Sequence, residues 1–193
     1  MKRTAFYAAA ASAALLAQAA LAGQSSGQIF TDNGTYTYYN LLPAQMGGVD
    51  SAGNLSYTYS PPVSNFHGAA YHPSDNTVTS FDAPNASRYT FVTSISENGK
   101  IAGYDDDSSF NQLGFVKNGN IFTDVSYPGP HGQVYLFSVN DSCDVAGLSS
   151  CFRGGVNFLL KNGVYTSIFD PLGSASSGLA YGLNNLDTGR GLV

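Results

Sequence analysis

The densest run of ligating side chains in this sequence is Asp105-Asp106-Asp107. Hard cations such as Ca²⁺ take several oxygen ligands, and a loop bearing three carboxylates offers them. Neighbouring residues of an extended segment point to opposite faces, so only Asp105 and Asp107 would converge. The spacing is not that of the twelve-residue Ca²⁺ loop, and the matching stretch Leu148-Ser149-Ser150 carries no acid. The expectation is a solvated acidic turn, with no metal site and no cofactor.

The other reactive side chains are scattered. His67 and His72 are five residues apart, an odd offset that places them on opposite faces of a regular strand, and His131 stands alone. Each reads as a surface or turn histidine, because metal binding or general-base work needs a partner close in space that the spacing does not supply. No Gly-x-Ser-x-Gly elbow precedes a helix, and Gly154-Gly155 does not sit between a strand and a helix. No catalytic residue is therefore named. Tyr36, Tyr38, Tyr39, Tyr57 and Tyr59 form the one aromatic group that stands out. Such rings can stack on sugar faces or enter a partner interface, although Tyr is also an ordinary strand residue, and core or sheet face is the first expectation. Cys143 and Cys151 are the only cysteines. An exported pair usually forms a disulfide. Here the two flank one strand, and eight extended residues span roughly 26 Å, whereas a bridge needs Cα atoms within about 7 Å. A bridge requires Ser149-Ser150-Cys151 to fold back, and both states stay open.

What must position these residues begins after a leader. Met1-Lys2-Arg3 precedes an Ala/Leu-rich stretch that ends Ala20-Leu21-Ala22. That is the pattern of a cleaved signal peptide, expected over 1–22 with cleavage after Ala22, giving a secreted or periplasmic protein. The rest, 23–193, is one domain by length. No other stretch approaches a membrane span. Only 11% of the 193 residues are charged and the formal net charge is -5. The basic residues beyond the leader are dispersed, which argues against a nucleic-acid surface.

The organising element is Leu113–Pro128, two short strands around Asn118-Gly119 that end at a breaker, Tyr127-Pro128-Gly129. Asn-Gly between alternating apolar runs predicts a hairpin turn centred on those two residues. The pattern recurs at Asn157–Thr166, around Asn162-Gly163. Ile95–Gly103 matches Val139–Gly147 at a spacing of 44, and Asn184 and Gly191 continue the series. The units fall at about 27–60, 66–107, 113–153 and 157–193. Each predicts four short strands and none shows helical periodicity. The expected fold is all-β: a four-unit repeat of four-stranded antiparallel meanders, propeller-like, with an open curved sheet or a barrel as the alternative.

Gly114-Phe115-Val116, Phe122-Thr123, Pro128-Gly129, Val139-Asn140-Asp141 and Val145-Ala146-Gly147 resemble the repeat of the HAF-type extracellular proteins of bacteria. The resemblance spans about 27–193. It departs from the family pattern at His67-Gly68, which lacks the Phe, at Gly114-Phe115, which lacks the His, and at Asn157-Phe158-Leu159, which lacks His and Gly. It implies export and a β-rich repeat, and lends no catalytic residues. The functional expectation is an exported binding or structural module whose partner is a glycan or a cell-surface protein. The alternatives are an extracellular hydrolase using Asp82, Asp105 or Asp170, and a truncated piece of a longer array.

Overall fold

The structure, a computed structural model, describes residues 25–30, 36–41, 44–61, 65–128, 132–151, 154–169 and 180–185. The expected signal segment, His131, Asp170, Gly191 and the segment 190–193 lie outside them. Every regular element described is a strand. β1 (Ser25–Phe30) and β2 (Tyr36–Leu41) form an antiparallel pair.

Three four-stranded antiparallel meanders follow, each in chain order. The first holds β3 (Ala44–Val49), β4 (Leu55–Tyr59), β5 (His67–His72) and β6 (Thr77–Phe81). The second holds β7 (Tyr89–Ile95), β8 (Ile101–Asp106), β9 (Gln112–Asn118) and β10 (Ile121–Val125). The third holds β11 (Gln133–Val139), β12 (Val145–Cys151), β13 (Gly154–Lys161) and β14 (Val164–Ile168). The chain is thus all-β, and none of these sheets closes into a barrel. To within a few residues, each sheet takes two strands from one sequence unit and two from the next.

The same turn closes the first two strands of every meander. In Asp50–Asn54, Ser96–Lys100 and Asn140–Asp144, the first amide donates to the fifth carbonyl and the fourth amide to the first carbonyl. The fourth residue must then take a left-handed conformation, which Gly adopts without steric cost. Gly53 and Gly99 do so at φ 82° and 80°, but Cys143 occupies the place at φ 66°. A further copy, Asp107–Asn111, joins β8 to β9 and puts Phe110 there, at φ 65°.

One turn differs from the sequence expectation. Asn118 is the last residue of β9, paired with Ile121, so the loop is Gly119-Asn120 rather than Asn118-Gly119. Asn120 is an extra residue relative to Asn162-Gly163, which does form the two-residue loop between Lys161 and Val164. Gly119 has φ 58° and Asn118 is not left-handed, the II′ arrangement with Gly first, whereas Asn162 and Gly163 are both left-handed, at 50° and 78°.

The first strand of each meander carries a bulge, at Met46/Gly48, Val92/Ser94 and Leu136/Ser138. In the second and third meanders the neighbouring strand comes too close for a side chain on the strand that follows: a Cβ on Gly103 would lie 1.9 Å from the Phe91 carbonyl oxygen, and one on Gly147 2.5 Å from that of Tyr135.

Successive meanders pack face to face through these first strands. Val134, Leu136 and Val139 bury against Ala102, Val116 and Val125, while Val92 and Ile101 bury against Ala70. Side-chain bonds between the turns reinforce the packing. Ser51 N donates to Glu97 Oε2 at 2.8 Å and Asn98 N to Asp141 Oδ1 at 2.9 Å. Asp141 N in turn donates to Asn185 Oδ1 at 2.9 Å. Likewise Val139 N donates to Ser94 Oγ at 3.4 Å, and Leu183 N to Ser138 Oγ at 3.0 Å.

Candidate functional site

The two ends of this stack differ in chemistry. One end carries the tight turns, together with Lys100, Lys117 and Lys161. The other carries the connections 82–88 and 107–111 and the start of β5, and gathers His67, Asp82, Arg88 and Asp105–Asp107.

At that loop end an aromatic row crosses from the first meander to the third. Phe66 lies 5.3 Å from Tyr89 and 5.2 Å from Phe91, centroid to centroid. Phe91 stacks on Tyr104 at 5.0 Å, and Tyr104 meets Tyr135 edge-on at 4.9 Å. The row forms because Phe91 and Tyr104 are direct cross-strand partners and a bridge places Phe66 beside Tyr89. Phe66 is exposed and the other four rings are half-buried. Burial raises the phenol pKa of Tyr104, as does neighbouring Tyr135, and burial followed by the charge of Asp106 raises that of Tyr135. Polar groups rim the row. The Tyr135 hydroxyl lies 2.9 Å from Gln133 Oε1 and 3.2 Å from Gln112 Oε1, with one proton to give between them. Gln112 Nε2 donates to Asp106 Oδ1 at 3.1 Å. Half-buried rings with amides at their edge suit a ligand that combines an apolar face with hydroxyl groups.

Arg88 and Phe110 flank the row. The Arg88 guanidinium sits 4.0 Å from the Phe110 ring centroid and 5.1 Å from that of Tyr89, and Nη2 donates to the Tyr89 hydroxyl at 3.2 Å. Phe110 is 61% exposed.

The Asp105–Asp107 run is not one solvated turn. Asp107 alone fits that expectation: it accepts from Ser109 N, Asn111 N and Asn111 Nδ2, and the Asn111 bonds first among these hold its pKa below the usual carboxylate value. Asp106 is buried and takes the Gln112 amide. Asp105 is 1% exposed, and neither of its oxygens has a hydrogen-bond partner among the described residues. Desolvation first, and the charge of Asp124 second, push its pKa up to about 6. The Leu113 backbone partly offsets this without a formed bond. The reason is register. Asp105 pairs with Thr90 and Leu113 on the face covered by the preceding connection, where Ala83 N already donates to Thr90 Oγ1 at 3.1 Å. Asp105 and Asp107 therefore do not converge on a common ligand. No group of three or more His, Cys, Asp or Glu side chains placed to hold a metal occurs among the described residues.

The histidines separate as their spacing implies. His67 Nδ1 lies 2.8 Å from Asp82 Oδ1 and the ring lies 5.5 Å from Tyr59, while His72 Nδ1 lies 3.0 Å from Asn54 Oδ1 at the turn end. Sequence reasoning missed the Asp82 partner, which is fifteen residues away and adjacent only because β5 and β6 are. Among the tyrosines singled out, Tyr57 is core, its pKa pushed up to about 12 by burial and then by Tyr59. Tyr36, Tyr38 and Tyr39 stand on β2, whose backbone alone is described. The Cys143 thiol is free and exposed, and Cys151 stands at the far end of β12. Phe110 had left a signal: Asp107-Ser108-Ser109-Phe110-Asn111 repeats Asp50-Ser51-Ala52-Gly53-Asn54 with an aromatic in the glycine position.

No protein-family model matches this chain, and a comparison with curated proteins finds no relative.

Proposed function

We propose that this chain is an exported, propeller-like β-repeat scaffold of the HAF type that binds a glycan at its loop end. One observation carries the binding reading: the aromatic row from Phe66 to Tyr135, half-open and rimmed by Gln112 and Gln133. The four-unit arrangement is supported by Leu183 and Asn185, which repeat toward the third meander the bonds that Val139 and Asp141 make toward the second. Repeated units present their connections on common faces, which suits recognition. The leader over 1–22 supports secretion or a periplasmic location. The test is retention of soluble glycans by the immobilised protein, without release of product. Phe91→Ala with Tyr104→Ala should lower retention at least tenfold. Equal retention by the double variant overturns the reading, as does retention only of a cell-surface protein.

A second reading, an extracellular hydrolase with an Asp-based site, rests on the His67–Asp82 hydrogen bond at the same end. A carboxylate that orients an imidazole is a general-base arrangement. Product release that disappears in Asp82→Asn would establish it.

A further inference from the structure

We infer that the glycan taken at the loop end is acidic, a uronate-bearing chain whose carboxylate is received by Arg88; this rests on the glycan-binding reading above. Arg88 is the one Lys or Arg of the described residues at that end, and it meets no carboxylate within 4 Å there. Its guanidinium is held by cation–π contact with Phe110 and Tyr89 and by the Tyr89 hydroxyl, so its orientation is set before any anion arrives. The planar fork of arginine matches a carboxylate bidentately, and a preset fork loses little entropy on binding. Of the acids at that end, Asp106 is bonded to Gln112, Asp107 to its own turn, Asp82 to His67 and Asp124 to Asn85, while Asp105 is buried without a hydrogen-bond partner among the described residues.

Phe110 supplies an independent argument. It occupies a left-handed position, φ 65°, that the same turn gives to Gly53 and Gly99 and, in the third meander, to the smaller Cys143, and it exposes most of its ring. Holding a bulky residue there costs stability and buries little apolar surface. Strain kept without a packing return marks a functional position. What the ring does on the surface is hold the guanidinium.

The experiment is affinity electrophoresis of the full mature chain in polygalacturonate and, separately, in fully methyl-esterified polygalacturonate, which keeps the sugar and removes the charge. The wild type should bind the free acid at least tenfold more tightly than the ester at low salt. Arg88→Gln should abolish that difference, and Arg88→Lys should restore only part of it. Phe110→Gly should weaken free-acid binding several-fold while its melting temperature stays level or rises. Equal binding of acid and ester, or free-acid binding indifferent to Arg88→Gln, overturns the acidic-ligand inference and leaves the glycan reading standing. Binding of neither polymer, with retention of neutral glycans, does the same. No retention of any glycan overturns both.

Discussion

Replacing Asp105 with Ser, the residue that β12 carries at the corresponding place, Ser149, should stabilise this protein at neutral pH relative to acid pH. The Asp105 carboxyl is raised in the folded state from 3.8 to about 6. A group whose folded pKa lies above its unfolded value contributes stability below the unfolded pKa, and that contribution is lost as pH rises through the folded one. The loss falls between about pH 4 and pH 6, because the unfolded chain ionises Asp105 freely while the fold must desolvate the charge. Two units at about 1.4 kcal/mol each set the magnitude at about 3 kcal/mol, with about 2.5 kcal/mol realised between about pH 4 and pH 7.5. The quantity to measure is the stability difference between Asp105→Ser and wild type at each pH, by urea denaturation. Any constant cost of exchanging the side chain cancels between the two pH values. The variant should gain about 2–3 kcal/mol on wild type across that window, or about 5–10 °C in melting temperature for a domain of this size. A difference that does not change with pH would mean that Asp105 is not desolvated in solution, and the β8–β9 register would need revision.

Gly119→Val should destabilise by about 1–3 kcal/mol, since a β-branched residue is strained at φ 58° even though a Cβ there meets nothing within 4 Å; an unchanged denaturation midpoint would count against the turn. Cys143→Gly should stabilise by about 1 kcal/mol by relieving a left-handed non-glycine residue, and the wild-type thiol should react with maleimide without prior reduction. Gly103→Ala should cost more than about 2 kcal/mol, because its Cβ would lie 1.9 Å from the backbone oxygen of Phe91 and the bulge would have to open. EDTA should leave the melting curve unmoved; a fall of several degrees reversed by Ca²⁺ would identify a bound cation.

The sequence by itself determined the local elements. Turn residues and period-two alternation act between near neighbours, so the strands around Gly53, Gly99 and Asn162-Gly163 were legible, as was the all-β class. The spacing of Gly103 and Gly147 was visible too, though the backbone carbonyl of the neighbouring strand that a Cβ would meet at each was not. The turn at Gly119 slipped by one residue because Asn118-Gly119-Asn120 offers two nearly equal loops, and only strand pairing chooses between them. The site lay beyond local rules altogether. Asp105 looks solvated in a run of three acids, yet its burial depends on which face the β7–β8 register turns inward and on the connection that covers that face. The row from Phe66 to Tyr135 joins three meanders, and the His67–Asp82 pair joins two strands. Such contacts exist only where separate strands are brought together, because the packing of one sheet on the next, and not the order of residues along the chain, sets which side chains become neighbours.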